Sequence, residues 1–99
     1  MNKTAIITGG GRGIGWAISR RLAKEGYNTA ILGSSDQACY SETIKELGQY
    51  GIKYKYYKCD IANHGSREET VLGIVEDFGA VHVLVNNAGV APQKRMDLL

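Results

Sequence analysis

A glycine-rich turn between a β-branched run and a helical pattern constrains this chain more than any other feature. The turn is Thr8-Gly9-Gly10-Gly11-Arg12-Gly13-Ile14-Gly15, preceded by Thr4-Ala5-Ile6-Ile7 and followed by helix-forming sequence to Glu25. A strand that passes through glycines into a helix start can cradle a phosphate. The first helical N–H groups lack intrahelical partners, and the helix dipole favours negative charge there. Glycine is needed wherever the backbone must approach the ligand without a Cβ in the way.

The spacing separates the possibilities. A P-loop requires Lys and then Ser or Thr after its last glycine, but Trp16 and Ala17 follow Gly15. The strict G-x-G-x-x-G fingerprint also fails. What remains is T-G-x-x-x-G-x-G, carried by Thr8, Gly9, Gly13 and Gly15. Taken alone, this pattern also admits the lesser reading of a tight connection.

The rest of the chain alternates. Strand-like runs at about 3–8, 29–32, 53–58 and 81–85 are separated by helical patterns at about 14–25, 36–50 and 66–78. Ile14, Ala17, Ile18 and Leu22 share one face of the first helix. Cys39, Ile44 and Leu47 form a thin face on the second. Val71, Ile74, Val75 and Phe78 recur at helical spacing on the third. Gly26 and Gly79 stand where helix ends belong. Val81-His82-Val83-Leu84-Val85 is nearly all apolar, as a strand covered on both faces would be, and His82 within it reads as a packed or hydrogen-bonded core residue. The alternation predicts an α/β fold, a doubly wound parallel sheet in three layers with strand order 3-2-1-4. A ligand then belongs beyond the C-terminal ends of strands one and four.

Composition narrows the function. With 99 residues, 43% apolar and 22% charged, the chain is sized for one small domain. A net charge of +2 is too small to argue for a nucleic-acid partner, and none is expected. Lys53, Lys55 and Lys58 interleave with Tyr54, Tyr56 and Tyr57, which reads either as a stacking platform for single strands or as a lysine-guarded edge strand. No signal peptide or membrane span is expected, and Cys39 and Cys59 have neither metal nor disulfide spacing. A cytoplasmic location is the resulting expectation.

Asn86-Asn87-Ala88-Gly89 closes the fourth strand. Together with the glycine turn at the first strand, it makes the chain strongly resemble the short-chain dehydrogenase/reductase family over residues 1–92. The resemblance implies a Rossmann-type domain, of which residues 1–99 form the N-terminal, dinucleotide-binding portion of a single longer reductase domain. It also implies hydride transfer between a nicotinamide and a carbonyl or alcohol carbon of a small-molecule substrate, with 3-oxoacyl-thioester reductases similar in general pattern. A homo-oligomer, dimer or tetramer, is implied in the same way. The cofactor-binding residues carried by the resemblance and the turn are Gly9, Gly11, Arg12, Gly13, Ile14, Gly15, Gly33, Ser34, Ser35, Asp60, Ile61, Asn87, Ala88 and Gly89. Asp60 would accept from the adenine amino group and Ile61 would pack on the ring. Asp60 reads equally as a cap of the following turn. Asn86 would help hold the centre of the fold.

The end of strand two distinguishes the cofactors. A carboxylate about 20 residues past the turn binds the 2′-hydroxyl of NAD and repels a 2′-phosphate. The residues present are Leu32-Gly33-Ser34-Ser35, with no acid before Asp36. NADP(H) is therefore expected over NAD(H), with Arg12 as countercharge. Asp36 keeps NAD open if it reaches the ribose.

The family's catalytic serine, tyrosine and lysine have no match in this sequence. Tyr54 and Lys58 are four apart, but on a strand such residues lie about 13 Å from each other. No residue is assigned as catalytic, and the chain alone is expected to be inactive. The alternative is a non-catalytic dinucleotide-binding module or a truncated relic.

Overall fold

The computed structural model describes residues 2–87. Four parallel strands, β1 (Thr4–Thr8), β2 (Asn28–Gly33), β3 (Tyr54–Lys58) and β4 (Val83–Asn86), pair in the order β3-β2-β1-β4. The helices are α1 (Gly13–Lys24), α2 (Ser41–Lys45) and α3 (His64–Phe78). The expected order 3-2-1-4 is the observed one.

Period-two alternation along the strands builds two cores. Ile31 and Tyr56 face α1 and α2, where they meet Ala23, Ile44 and Leu47, flanked by Trp16 and Tyr40. Ile6, Ala30 and Leu32 face the other way and pack with Cys59, Ile74, Phe78 and Val81. β1 is buried along its whole length, as the centre of a three-layer stack must be.

Helix ends follow the glycines. Gly26 takes φ 99° and its N–H reaches the Ala23 carbonyl at 3.0 Å; Gly79 takes φ 93° and reaches Val75 at 2.7 Å. Helix α3 starts two residues earlier than the periodicity predicts. Asn63 is its N-cap, its side-chain oxygen accepting from the Ser66 N–H at 2.8 Å.

Several expectations need correction. The α1 face buried on the sheet is Gly15, Ser19 and Ala23, whereas Ile14 is 74% exposed. Small residues win there because the helix lies close to the loop and strands. The Ser19 hydroxyl is shared between the carbonyls of Gly10 and Gly15 at 3.1 and 3.0 Å. The second helical region is not one helix: the short α2 is flanked by 3₁₀ turns at Gln37–Cys39 and Glu46–Tyr50, and Cys39 is exposed. Its apolar face is too thin to hold a continuous helix, and only Ile44 and Leu47 are buried. On α3, Ile74 alone is buried, while Val71 and Val75 are exposed.

β4 is an edge strand of the described sheet, so its alternate side chain Leu84 stands 63% exposed despite the apolar run. His82 is also exposed, not a core residue, yet it is hydrogen-bonded: its Nδ1 accepts from the Thr4 N–H at 3.0 Å, tying the edge to β1.

Candidate dinucleotide site

The glycine turn leaves β1 and is pinned at once to its neighbours. Gly9, at φ 64°, donates its N–H to the Leu32 carbonyl of β2 at 2.7 Å. On the other side, the Asn87 backbone N–H donates to Thr8 Oγ1 at 2.7 Å, and Thr8 Oγ1 lies 3.3 Å from Asn86 Oδ1. The Asn87 amide reaches the Gly9 carbonyl at 3.5 Å. The two motifs, 79 residues apart from Thr8 to Asn87, therefore form one assembly. Ala88 and Gly89 lie outside the described residues.

The glycines do different jobs. Gly13 has φ +60° with nothing within 4 Å of where a Cβ would stand, so it opens the helix start to solvent. A Cβ on Gly15 would lie 2.0 Å from the Gly9 carbonyl oxygen and 2.5 Å from Asn87 Nδ2. Gly15 thus permits close packing of helix on loop, and the space beside it is already filled by protein. Gly11 passes the Tyr40 ring, which a Cβ would meet at 3.1 Å. Arg12 is the N-cap residue, exposed and extended (φ −158°, ψ 167°). No side chain caps α1 and no acid lies in its first turn. Ile14, next in line, is exposed beside this uncapped end.

The ends of β2 and β3 border the same crevice. A Cβ on Gly33 would stand 2.5 Å from Tyr56 Oη. Tyr56 fills the volume that a longer residue at position 33 would need, and its hydroxyl donates to the Ser35 carbonyl at 2.7 Å. Burial, and then charge repulsion from the neighbouring Tyr40 phenol, push the Tyr56 phenol upward in pKa. Ser34 is exposed and Ser35 half-buried. Asp36 stands at the N-cap of the Gln37–Cys39 turn, but its side chain makes no capping hydrogen bond. Its Oδ1 lies 2.7 Å from Lys58 Nζ, and this hydrogen-bonded ion pair lowers the carboxyl pKa and raises that of the ammonium.

Past β3, the Cys59 N–H donates to the Gly33 carbonyl at 2.7 Å, which carries the chain alongside β2. Asp60 is exposed, with Oδ1 accepting from the Ala62 N–H at 3.1 Å, and Ile61 packs against the α3-side core. The capping reading of Asp60 is therefore realised by one oxygen.

The Lys–Tyr strip is used inside the fold. Lys53 donates to the Asp77 carbonyl, Lys55 pairs with Asp77 at 2.9 Å, and Lys58 pairs with Asp36. Tyr57 donates to Asp77 Oδ2 at 2.6 Å, and Tyr56 is buried. These are the contacts of a guarded edge strand, and they hold Tyr56 and Tyr57 within the fold. A basic depression of about 220 Å³ on α1, lined by Ala17, Arg20, Arg21, Lys24 and Tyr50, lies away from the glycine turn. Two of its cations already pair, with Glu46 and Glu25. Among the described residues, no group of three His, Cys, Asp or Glu could hold a metal, and no helix is long and apolar enough to cross a membrane.

These features suit a dinucleotide: an uncapped helix start, open space over Gly13, and strand ends converging on a switch point between β1 and β4. The fold defines a Rossmann-type α/β protein. The short-chain dehydrogenase family model matches residues 3–99, and the chain belongs to the short-chain dehydrogenase/reductase family.

It is 43% identical over 90 residues to a diacetyl reductase [(S)-acetoin forming] of Staphylococcus epidermidis, covering 91% of this chain and 35% of that protein. An L-rhamnose 1-dehydrogenase (NADP(+)) of Thermoplasma acidophilum is 40% identical, with 91% and 35% covered. The short-chain dehydrogenase/reductase homolog YusS of Bacillus subtilis is 35% identical, with 98% and 89% covered. Among solved structures, a 3-oxoacyl-[acyl-carrier protein] reductase from Brucella melitensis in complex with NAD superposes at TM-score 0.81. That match is 34% identical and covers 99% of this chain and 42% of that one. The chain spans about a third of the length of the first curated relatives it matches. The family's oxidoreductases use NAD or NADP.

Sequence reasoning missed Tyr56 and Lys58 as site-bordering residues. Parallel register was the available signal, since it sets Lys58 opposite Gly33, but that register is not written in either segment alone.

Proposed function

We propose that this chain binds NADP(H) through Gly9, Gly11, Arg12, Gly13, Ile14 and Gly15, with Gly33, Ser34 and Ser35 at the ribose, Asp60 and Ile61 at the adenine, and Asn87, Ala88 and Gly89 beside the nicotinamide ribose. The intact protein would transfer a hydride between the nicotinamide and a carbonyl or alcohol carbon of a small molecule, in the manner of a 3-oxoacyl-thioester or acetoin-type reductase. The observation that carries the cofactor choice is Tyr56 Oη, placed 2.5 Å from where a Gly33 Cβ would stand. An acid at the end of β2, which would favour the 2′-hydroxyl of NAD, has no room there. The relative named for NADP(+) supports this reading, and the NAD complex of the 3-oxoacyl reductase marks its competitor.

The bound nicotinamide supplies the hydride. The uncapped amides at the start of α1 hold the pyrophosphate, Arg12 adds countercharge, and Thr8 with Asn87 fixes the turn against β4. No residue of this chain takes a catalytic role. We place the chain as the N-terminal portion of one longer reductase domain, in a dimer or tetramer, in the cytoplasm; Cys39 and Cys59, both free, suit a reducing compartment. A non-catalytic dinucleotide-binding module is the second reading, favoured by the similarly sized relative YusS, of which this chain covers 89%.

Calorimetric titration of the intact protein with NADPH and NADH tests the cofactor, and NADPH oxidation with diacetyl or a 3-oxoacyl thioester tests the chemistry. Tighter binding of NADPH is expected. Binding without turnover across ketone and aldehyde substrates selects the second reading.

A further inference from the structure

We infer that Lys58 is a specificity-determining residue that binds the ribose 2′-phosphate, and that Asp36 is the counter-ion it holds until the phosphate arrives. The inference rests on the NADP(H) reading above and deepens it. Parallel pairing sets Lys58 directly opposite Gly33, the last residue of β2, so a cation on β3 stands at the strand end where the ribose belongs. Its side chain is 63% exposed and its ammonium lies 2.7 Å from Asp36 Oδ1, which places the charge beside the residue that follows Ser34-Ser35. The Tyr56 hydroxyl, by holding the Ser35 carbonyl at 2.7 Å, fixes the loop that the pair spans.

The ion pair has a weak hold on the fold. Both partners are largely exposed, where water screens the attraction and the ordering of two long side chains opposes it. A ribose phosphate carries nearly two charges where Asp36 carries one, and offers three acceptor oxygens. It therefore displaces the carboxylate from Lys58. With NAD no such competitor exists, and the pair stays closed. Asp36 plays the opposing part: it neutralises Lys58 in the free chain and repels the incoming phosphate. Lys58 and Asp36 should consequently act with opposite sign on NADP affinity.

The test is calorimetric titration of the intact protein with NADP⁺, NAD⁺, 2′,5′-ADP and 5′-AMP, for wild type, Lys58→Met, Lys58→Arg and Asp36→Asn. Loss of one charge-assisted contact should weaken NADP⁺ and 2′,5′-ADP about tenfold in Lys58→Met, leaving NAD⁺ and 5′-AMP within about twofold. Lys58→Arg should restore most of the loss, and Asp36→Asn should tighten NADP⁺ a few-fold. Equal weakening of both dinucleotides in Lys58→Met, or no change in either, overturns the role of Lys58. Asp36→Asn leaving NADP⁺ unchanged overturns the counter-ion role. A wild-type preference for NAD⁺ overturns the cofactor reading itself, whereas a wild-type preference for NADP⁺ that survives Lys58→Met undiminished overturns the Lys58 assignment alone.

Discussion

At the scale of single residues, glycines that look alike in sequence carry unlike loads. Gly13 needs its positive φ and faces open space, while Gly15 has a carbonyl where its Cβ would be. Gly15→Ala should cost about 1–3 kcal/mol in urea unfolding, because the obstacle is backbone that cannot swing aside. The same substitution should weaken NADPH and NADH alike, since it displaces the turn proposed to hold the pyrophosphate that both share. Thr29 gives the opposite prediction. Its buried Oγ1 has no hydrogen-bond partner among the described residues. Thr29→Val keeps the shape and removes the unpaired hydroxyl, so it should raise stability by about 1 kcal/mol in the same assay.

At the scale of elements, α3 depends on few attachments. Ile74 is its one fully buried apolar side chain, so Ile74→Ala should destabilise by about 2–5 kcal/mol, read from chemical denaturation. The other attachment is the Tyr57–Asp77 hydrogen bond, joined by Lys55. It holds the Asp77 carboxyl below its ordinary pKa, first through the Tyr57 hydroxyl and then through Lys55. A depressed folded pKa means that the folded state releases the proton more readily. The contribution is therefore present above the unfolded carboxyl value of about 3.9 and fades as pH falls below it. Asp77→Asn should thus be less stable than wild type at neutral pH, and the gap should close in melts at acid pH. Burial, then the same carboxylate, raises the Tyr57 phenol pKa. A raised value is stabilising below the unfolded phenol pKa of about 10 and is lost as pH rises past it. Tyr57→Phe should therefore flatten the alkaline limb of the stability profile.

At the scale of the whole molecule, the order β3-β2-β1-β4 makes β1 and β2 the interior of the described sheet. Their amides should exchange slowest in native-state hydrogen exchange, those of β3 and β4 faster. Equal protection across all strands would show that β4 is covered in solution. The element types and their order were legible in the sequence because each rests on local periodicity and on glycines at the helix ends. The faces were less legible. On α1 the apolar set Ile14, Ala17 and Ile18 advertises one face, yet the small residues Gly15, Ser19 and Ala23 bury the adjacent one, because the sheet sits too close for bulk. The second helix read as continuous because propensity does not record how thin an apolar face a helix can survive on.

The sequence by itself determined the parallel α/β order and the glycine turn, since strand period, helix period and glycine spacing are short-range properties of the chain. It also carried both family motifs, Thr8 to Gly15 and Asn86 to Gly89. Only the tertiary structure decided that Tyr56 fills the space beside Gly33 and that Lys58 meets Asp36. Those contacts join residues more than 20 positions apart through strand register, and register is set by packing of the assembled sheet, which no single segment specifies.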